Sequence, residues 1–185
     1  MLARSRSAVS RFDASAEAAI DRLRGHPAPD RIFYAASELG DFSLVWLLLA
    51  AARGVRGGRH ERAAFRLGVA AAAESALVNG LIKSLFRRKR PPWDVVRPHR
   101  IRQPLTSSFP SGHATAAFMS AILLSEGDPL WPLYFAVAGV VATSRVYVKI
   151  HHASDVLAGV CAGVGLGLLA RRLMPLPPGS GPASA

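Results

Sequence analysis

In the stretch "SRVYVKIHHASD", His151 and Asp155 stand four residues apart, just beyond Ser144 and Arg145, which end an apolar run. On a helix that spacing sets a carboxylate beside an imidazole. The carboxylate then fixes one ring nitrogen as N–H and raises the basicity of the other. His151 is thereby readied as a nucleophile. In "SSFPSGHATAAF", Pro110 and Ser111 read as a helix start, and Gly112 lets backbone approach a ligand. His113, in the first turn, can give a proton. The free amides and positive dipole end of such a helix attract phosphate. In "KSLFRRKRP", six residues separate Lys83 from Arg90, and Pro91 stops the structure. Two fixed cations there can hold phosphate oxygens, arginine through its planar fork and lysine as a point charge.

Other polar residues admit more than one reading. Ser75, Asn79 and Lys83 share a helix face at four-residue spacing. Polar groups at membrane depth usually point into the bundle or a wet cavity, so this stripe marks an interior polar site with Lys83 at its mouth. A snorkelling lysine above helix-packing Ser and Asn fits the same pattern. Glu74 lies off that face and calls for a basic partner. Arg87, Arg88 and Lys89 read as a juxtamembrane cluster for lipid headgroups. His113, His151, His152 and Asp155 would suit zinc, but Lys83, Arg90 and Arg145 would repel a metal ion, so no metal is expected. Cys161, the only cysteine, sits among Gly, Ala and Val and reads as a small buried hydrophobe. His26, His60 and His99 read as loop residues.

The elements that must position these groups are apolar. Half of the 185 residues are hydrophobic, and they come in long blocks. Five blocks are candidate membrane segments, roughly 33–52, 63–86, 112–124, 130–148 and 154–173. A crossing takes about 20 mostly apolar residues, so the third is marginal and fits a start inside a buried re-entrant loop. A soluble bundle would lack the polar surface to cover five such blocks. Gly159, Gly163 and Gly167, four apart, let another helix approach closely. Ahead of the blocks, Val9, Phe12, Ala16, Ala19, Ile20 and Leu23 recur at helical spacing among Arg4, Arg11, Asp13, Glu17 and Arg22. This amphipathic helix either lies on a membrane surface or packs on the fold. It lacks the uninterrupted apolar core of a secretory signal. The expected fold is an all-α integral membrane helical bundle of about five crossings. It divides into an N-terminal amphipathic interfacial segment (1–30), a membrane-embedded catalytic domain (31–174) and a disordered Pro/Gly/Ser-rich tail (175–185). The net charge of +11 suits anionic partners. Because the basic residues fall between apolar blocks rather than on a soluble face, nucleic acid is not among them.

Together, Lys83…Arg90-Pro91, Pro110-Ser111-Gly112-His113 and Ser144-Arg145…His151…Asp155 resemble the type 2 phosphatidic acid phosphatase family. That family's pattern is K-x6-RP, PSGH and SR-x5-H-x3-D, and it shares its core with vanadium haloperoxidases. Order and spacing match throughout. The resemblance implies a route without metal or cofactor. His151 would attack phosphorus to form a phosphohistidine, and Asp155 would orient and charge-stabilise it. His113 would protonate the leaving oxygen and then act as base for the attacking water. Lys83, Arg90, Arg145, Ser111 and the Gly112 amide would hold the equatorial oxygens.

The implied substrate is a membrane lipid phosphate. Polyprenyl phosphate or diphosphate, a prenyl-linked phosphosugar, phosphatidylglycerol phosphate and phosphatidic acid all fit. A site at helix mouths meets the scissile group at the bilayer surface while the tail stays among the apolar segments. Arg97, Arg100 and Arg102 either grip a second anionic group, such as a diphosphate, or adhere to anionic lipid. Family members usually have six crossings, against five counted here plus the interfacial helix. Two rival functions share the sequence. A vanadium haloperoxidase would use the same site for vanadate, which the membrane segments oppose. A non-catalytic transporter or lipid-binding protein would not need a complete set of phosphate ligands. With five crossings, Arg53, Arg56, Arg59, Arg62, Arg171 and Arg172 share the side away from the catalytic loops. The positive-inside rule puts them in the cytoplasm and the site on the outer face of the cell membrane.

Overall fold

The computed structural model describes residues 2–92 and 106–177, with backbone alone for residues 2–7 and Phe42. Arg97, Arg100, Arg102, His99 and the tail beyond residue 177 lie outside the described residues. Among the described residues all regular structure is helical. In chain order come α1 (Leu2–Asp21), α2 (Pro27–Leu39), α3 (Leu44–Gly54) and α4 (Arg59–Ser75). A π-helical stretch (Ala76–Ile82) carries α4 into a last turn, α5 (Lys83–Leu85). Then follow α6 (Gly112–Ser125), α7 (Trp131–Tyr147) and α8 (Ala153–Leu173).

The centre of the bundle is α6. Its sequence, "GHATAAFMSAILLS", is apolar or small on nearly every face, the pattern of a helix with no side turned to water. Ala114, Thr115, Ala117, Met119, Leu123 and Leu124 are all buried, and α4, α7 and α8 surround them. The approach of α8 depends on its glycine stripe. A Cβ at Gly159, Gly163 or Gly167 would come within 2.5 Å of the Ser111 carbonyl oxygen, 2.3 Å of the Thr115 oxygen and 2.8 Å of Ile122 Cβ, respectively. Close packing is therefore what the four-residue spacing delivers. Cys161 corrects the expectation of burial. It lies two residues from Gly159 and Gly163, hence on the other side of the helix, and is exposed.

The continuous helix Arg59–Leu85 and α8 are each long and apolar enough to cross a bilayer. The pair α2 and α3 adds a third span if counted as one. The first expected segment, 33–52, is not a single straight helix. A 3-10 turn at Asp41–Ser43 interrupts it, and the two halves are bent by 74°. Close packing accompanies the break. A Cβ at Gly40 would lie 2.9 Å from His113 Cδ2 and 3.0 Å from Val141 Cγ1, so the chain runs flush against α6 and α7 there. Ser43 then takes a left-handed φ of 58°. With 14 residues, α6 is about 21 Å long, shorter than the hydrocarbon core. Leu48, Phe65, Leu157 and Leu168 are each more than half exposed on the outside of the bundle. Such an apolar exterior belongs against lipid rather than water, as an integral membrane protein requires.

Helix α1 packs on the fold through one face. Asp13, Ala16, Glu17 and Ile20 turn inward against the bundle, while Val9, Phe12 and Leu23 stay exposed. The far end of α6 is closed by three arginines. Arg53 donates to Leu124 O at 2.5 Å and to Glu126 O at 2.9 Å. Arg66 donates to Leu123 O at 3.2 Å, and Arg171 to Ile122 O. The last carbonyls of a helix have no partner within it, and these cations also offset its negative dipole end.

Candidate active site

The three motifs meet where α6 and α8 begin. The loop from Val148 to His152 folds back on the end of α7, with Ile150 N and His151 N both donating to Arg145 O, at 3.1 and 3.0 Å. Lys149 takes a left-handed φ of 53° to make this turn. His151 is consequently buried, 2% exposed. Helix α8 starts only at Ala153, with His152 as its N-cap and Asp155 Oδ2 accepting from His152 N at 2.9 Å. So His151 and Asp155 are not two positions on one helix, as their spacing suggested. Asp155 Oδ2 stands 3.8 Å from His151 Nδ1, an electrostatic neighbour rather than a hydrogen-bond partner. Nδ1 donates instead to the Ser108 carbonyl at 2.6 Å. That tautomer leaves the Nε2 lone pair as an acceptor, and Arg90 Nη1 donates to it at 3.3 Å.

Arg90 is held by backbone. It donates to Ile150 O at 2.9 Å, to Thr106 O at 3.1 Å and to Ser107 O at 3.2 Å. Ser111 links the second and third motifs, its N–H donating to Asp155 O at 3.0 Å while its hydroxyl caps α6 by accepting from Ala114 N at 3.4 Å. Gly112 links the first and second. A Cβ there would lie 2.9 Å from Asn79 Oδ1 and 3.4 Å from Lys83 Nζ. Bare backbone therefore lets Lys83 reach the N-terminus of α6, where Asn79 Oδ1 accepts from its amine at 2.8 Å. Asn79 Nδ2 in turn donates to Ser75 Oγ at 3.4 Å, so the stripe is a hydrogen-bonded chain. Glu74 is buried with Oε1 unpartnered, and Lys83 is the cation within electrostatic reach.

Arg145 donates to Ser37 Oγ of α2 at 2.5 Å and acts electrostatically on both His113 and His151. His113 Nε2 lies 2.7 Å from Asp41 Oδ1, at the break between α2 and α3. Burial pushes the His151 ring down to about 3 against the pull of Asp155, and Arg145 and Arg90 act in the same direction as burial. The ring is therefore neutral near pH 7. The arrangement offers one neutral imidazole with its lone pair toward a cation, a second imidazole held by a carboxylate, and three cations beside a helix N-terminus.

Several contributors escaped the sequence reading. Ser108 acts through its carbonyl and leaves no side-chain signal. Asp41 left one, a lone acid inside an apolar block. Arg88 was assigned to lipid headgroups, but it turns inward onto Asp155 Oδ1 at 2.5 Å and Asp13 Oδ2 at 2.6 Å. Arg87 and Lys89 beside it stay exposed. The four residues considered for zinc do not gather. His113 faces Asp41, His152 Nε2 faces Lys89 O, and among the described residues no group of three or more His, Cys, Asp or Glu could hold a metal ion.

Comparison with known proteins finds a family and several relatives. A family model described as PAP2 superfamily matches residues 63–176. The decaprenylphosphoryl-5-phosphoribose phosphatase of Mycobacterium tuberculosis is 32% identical over 133 residues, which cover 72% of this chain and 73% of that protein. LpxE of Aquifex aeolicus superposes with a TM-score of 0.68 at 27% identity, over 86% of this chain and 94% of that one. A PAP2-type phosphatidylglycerolphosphate phosphatase of Bacillus subtilis shares the fold, with a TM-score of 0.63 at 22% identity over 92% and 86% of the two chains.

Proposed function

The chain belongs to the PAP2 superfamily and is a phosphoric ester hydrolase of the membrane, and from that premise we propose that it removes a phosphate from a prenyl-linked lipid through a phosphohistidine on His151. The observation that carries this reading is the His151 ring. Its N–H is committed to the Ser108 carbonyl, and its Nε2 lone pair accepts from Arg90 Nη1, a phosphate-binding cation, at 3.3 Å. A phosphate drawn in by Arg90, Lys83, Arg145, Ser111 and the Gly112 amide takes Arg90 from that lone pair and meets it.

In the first step the Nε2 lone pair bonds to phosphorus and the P–O bond to the leaving group breaks, with His113 giving its proton to the departing oxygen. In the second, water attacks phosphorus, His113 takes a proton from it, and the P–N bond breaks to release inorganic phosphate. The cations neutralise the equatorial oxygens in both steps, the task a metal ion performs in other phosphatases. Asp155, 3.8 Å from Nδ1, offsets the positive charge of the phosphorylated ring. The choice of a prenyl-linked phosphosugar as first substrate rests on the Mycobacterium tuberculosis relative's name. The site is proposed to face outward from the cell membrane.

The test is phosphate release by the purified protein from a panel of a prenyl-linked phosphosugar, polyprenyl phosphate and diphosphate, phosphatidylglycerol phosphate and phosphatidic acid, each with and without chelator. The expected result is fastest release from a prenyl-linked substrate, undiminished by chelator, and none from folded His151→Ala. Full turnover by that variant would defeat the assignment.

A further inference from the structure

The inward face of α1 carries charges that a merely amphipathic surface helix does not need. Asp13 Oδ1 accepts from Ser154 N at 2.8 Å, and its Oδ2 accepts from Ser154 Oγ at 2.9 Å and from Arg88 Nη2 at 2.6 Å. Through its other nitrogen, Arg88 donates to Ser154 Oγ at 2.8 Å and to Asp155 Oδ1 at 2.5 Å. One planar guanidinium thus spans two carboxylates from opposite ends of the chain. The Asp155 side chain is fully buried and that of Asp13 is 11% exposed. We infer that α1 belongs to the catalytic apparatus, with Asp13 acting through Arg88 as a positioning residue for Asp155 beside His151. This rests on the phosphohistidine reading above.

Docking alone would not require Asp13. A second clamp already fastens α1, where Glu17 pairs with Lys149 at 3.2 Å and with Arg24 at 2.7 Å. Arg24 in turn donates to Tyr147 O and Val146 O at the end of α7. Asp13 differs in where its connection ends, on the carboxylate next to the proposed nucleophile. Charge gives the reason. Arg88 and Asp155 alone sum to zero, which leaves little to stabilise the cationic phosphorylated ring. With Asp13 the group carries one net negative charge beside that ring. Geometry adds to it, because Arg88 engaged at both nitrogens fixes Asp155 Oδ1 and leaves Oδ2 for His152 N and the His151 ring.

The full chain in detergent, with the lipid that turns over fastest, provides the test. Wild type, His151→Ala, Asp13→Asn, Asp13→Glu, Arg88→Lys and Glu17→Gln are compared for kcat, KM and thermal unfolding. Asp13→Asn keeps the size but removes the charge and one of the two acceptor oxygens that Ser154 and Arg88 use. It is expected to lower kcat roughly tenfold to a hundredfold with KM nearly unchanged, the scale of a displaced supporting group. Asp13→Glu restores most of that loss. Arg88→Lys is as damaging as Asp13→Asn, since an ammonium cannot bridge both carboxylates as a fork does. Glu17→Gln lowers the unfolding temperature and spares kcat. Wild-type kcat in Asp13→Asn, or an equal kcat loss in Glu17→Gln, would reduce α1 to a docked helix and overturn the inference. Turnover by His151→Ala would instead bring down the site reading. An inactive His151→Ala beside an unimpaired Asp13→Asn refutes the inference alone.

Discussion

Replacing Gly163 by alanine asks how far the site depends on packing at a distance. The added Cβ would sit 2.3 Å from the Thr115 carbonyl oxygen and 3.1 Å from Met119 N. Comfortable contact begins near ~3.4 Å, so the helices must part by about 1 Å. Both atoms are α6 backbone, and no flexible side chain can give way. Overpacking of this kind costs about 1–3 kcal/mol, which for a chain of this size lowers the unfolding temperature by roughly 3–10 °C. The same displacement reaches the chemistry. Gly163 is on the helix that carries Asp155, and Thr115 is two residues from His113. A misplacement of about 1 Å costs on the order of a hundredfold in rate. Gly165→Ala is the matched control, because its Cβ would meet nothing within 4 Å. Alanine is a better helix former by about 1 kcal/mol, so that variant should be as active as wild type and at least as stable. Phosphate release and tryptophan-monitored unfolding in one detergent decide the matter. Gly163→Ala indistinguishable from Gly165→Ala would refute the dependence of the site on the α6–α8 contact.

Two more outcomes are expected. Asp41→Ala should slow release of a poor leaving group, such as a sugar or prenyl alcohol, by roughly tenfold to a hundredfold. An aryl phosphate, whose leaving group needs no proton, should be spared; equal losses on both would separate Asp41 from the proton donor His113. The His151 ring, ordinarily near 6.5, should titrate at about 3 in nitrogen-labelled protein followed by NMR. Because its folded value is depressed, the unfolded chain takes up that proton first. Stability owed to the neutral ring is therefore lost as pH falls from about 6.5 toward about 3. A midpoint near 6.5 would contradict its burial beside two cations.

The three motifs could be read because each is short and local, and each lies where the chain enters or leaves an apolar helix. Fixed spacing then carries the chemistry, as with Ser111, Gly112 and His113 at the start of α6. The glycine stripe was legible for a similar reason, since a helix repeats its contacts every four residues. What the sequence hid is what other segments bring in. Ser108 orients His151 through backbone, which no side chain announces. Asp41 reaches His113 only because Gly40 lets the chain pass flush and then bend, so a block that scores as one apolar segment folds as two helices. Arg88 sits in a run of four basic residues, and nothing local distinguishes the one that turns inward. The four-residue interval between His151 and Asp155 was correct as a proximity but wrong as a helix, because His152 caps α8 between them.

Cys161 carries a practical consequence. It is the chain's only thiol, it points away from the bundle, and it lies about 9 Å along α8 from Asp155. A maleimide fluorophore or nitroxide therefore attaches at a single native position, on the outer surface of the helix that bears the carboxylate. Quenching of that label by brominated lipids reads how deeply the catalytic end sits in the bilayer, with no residue changed.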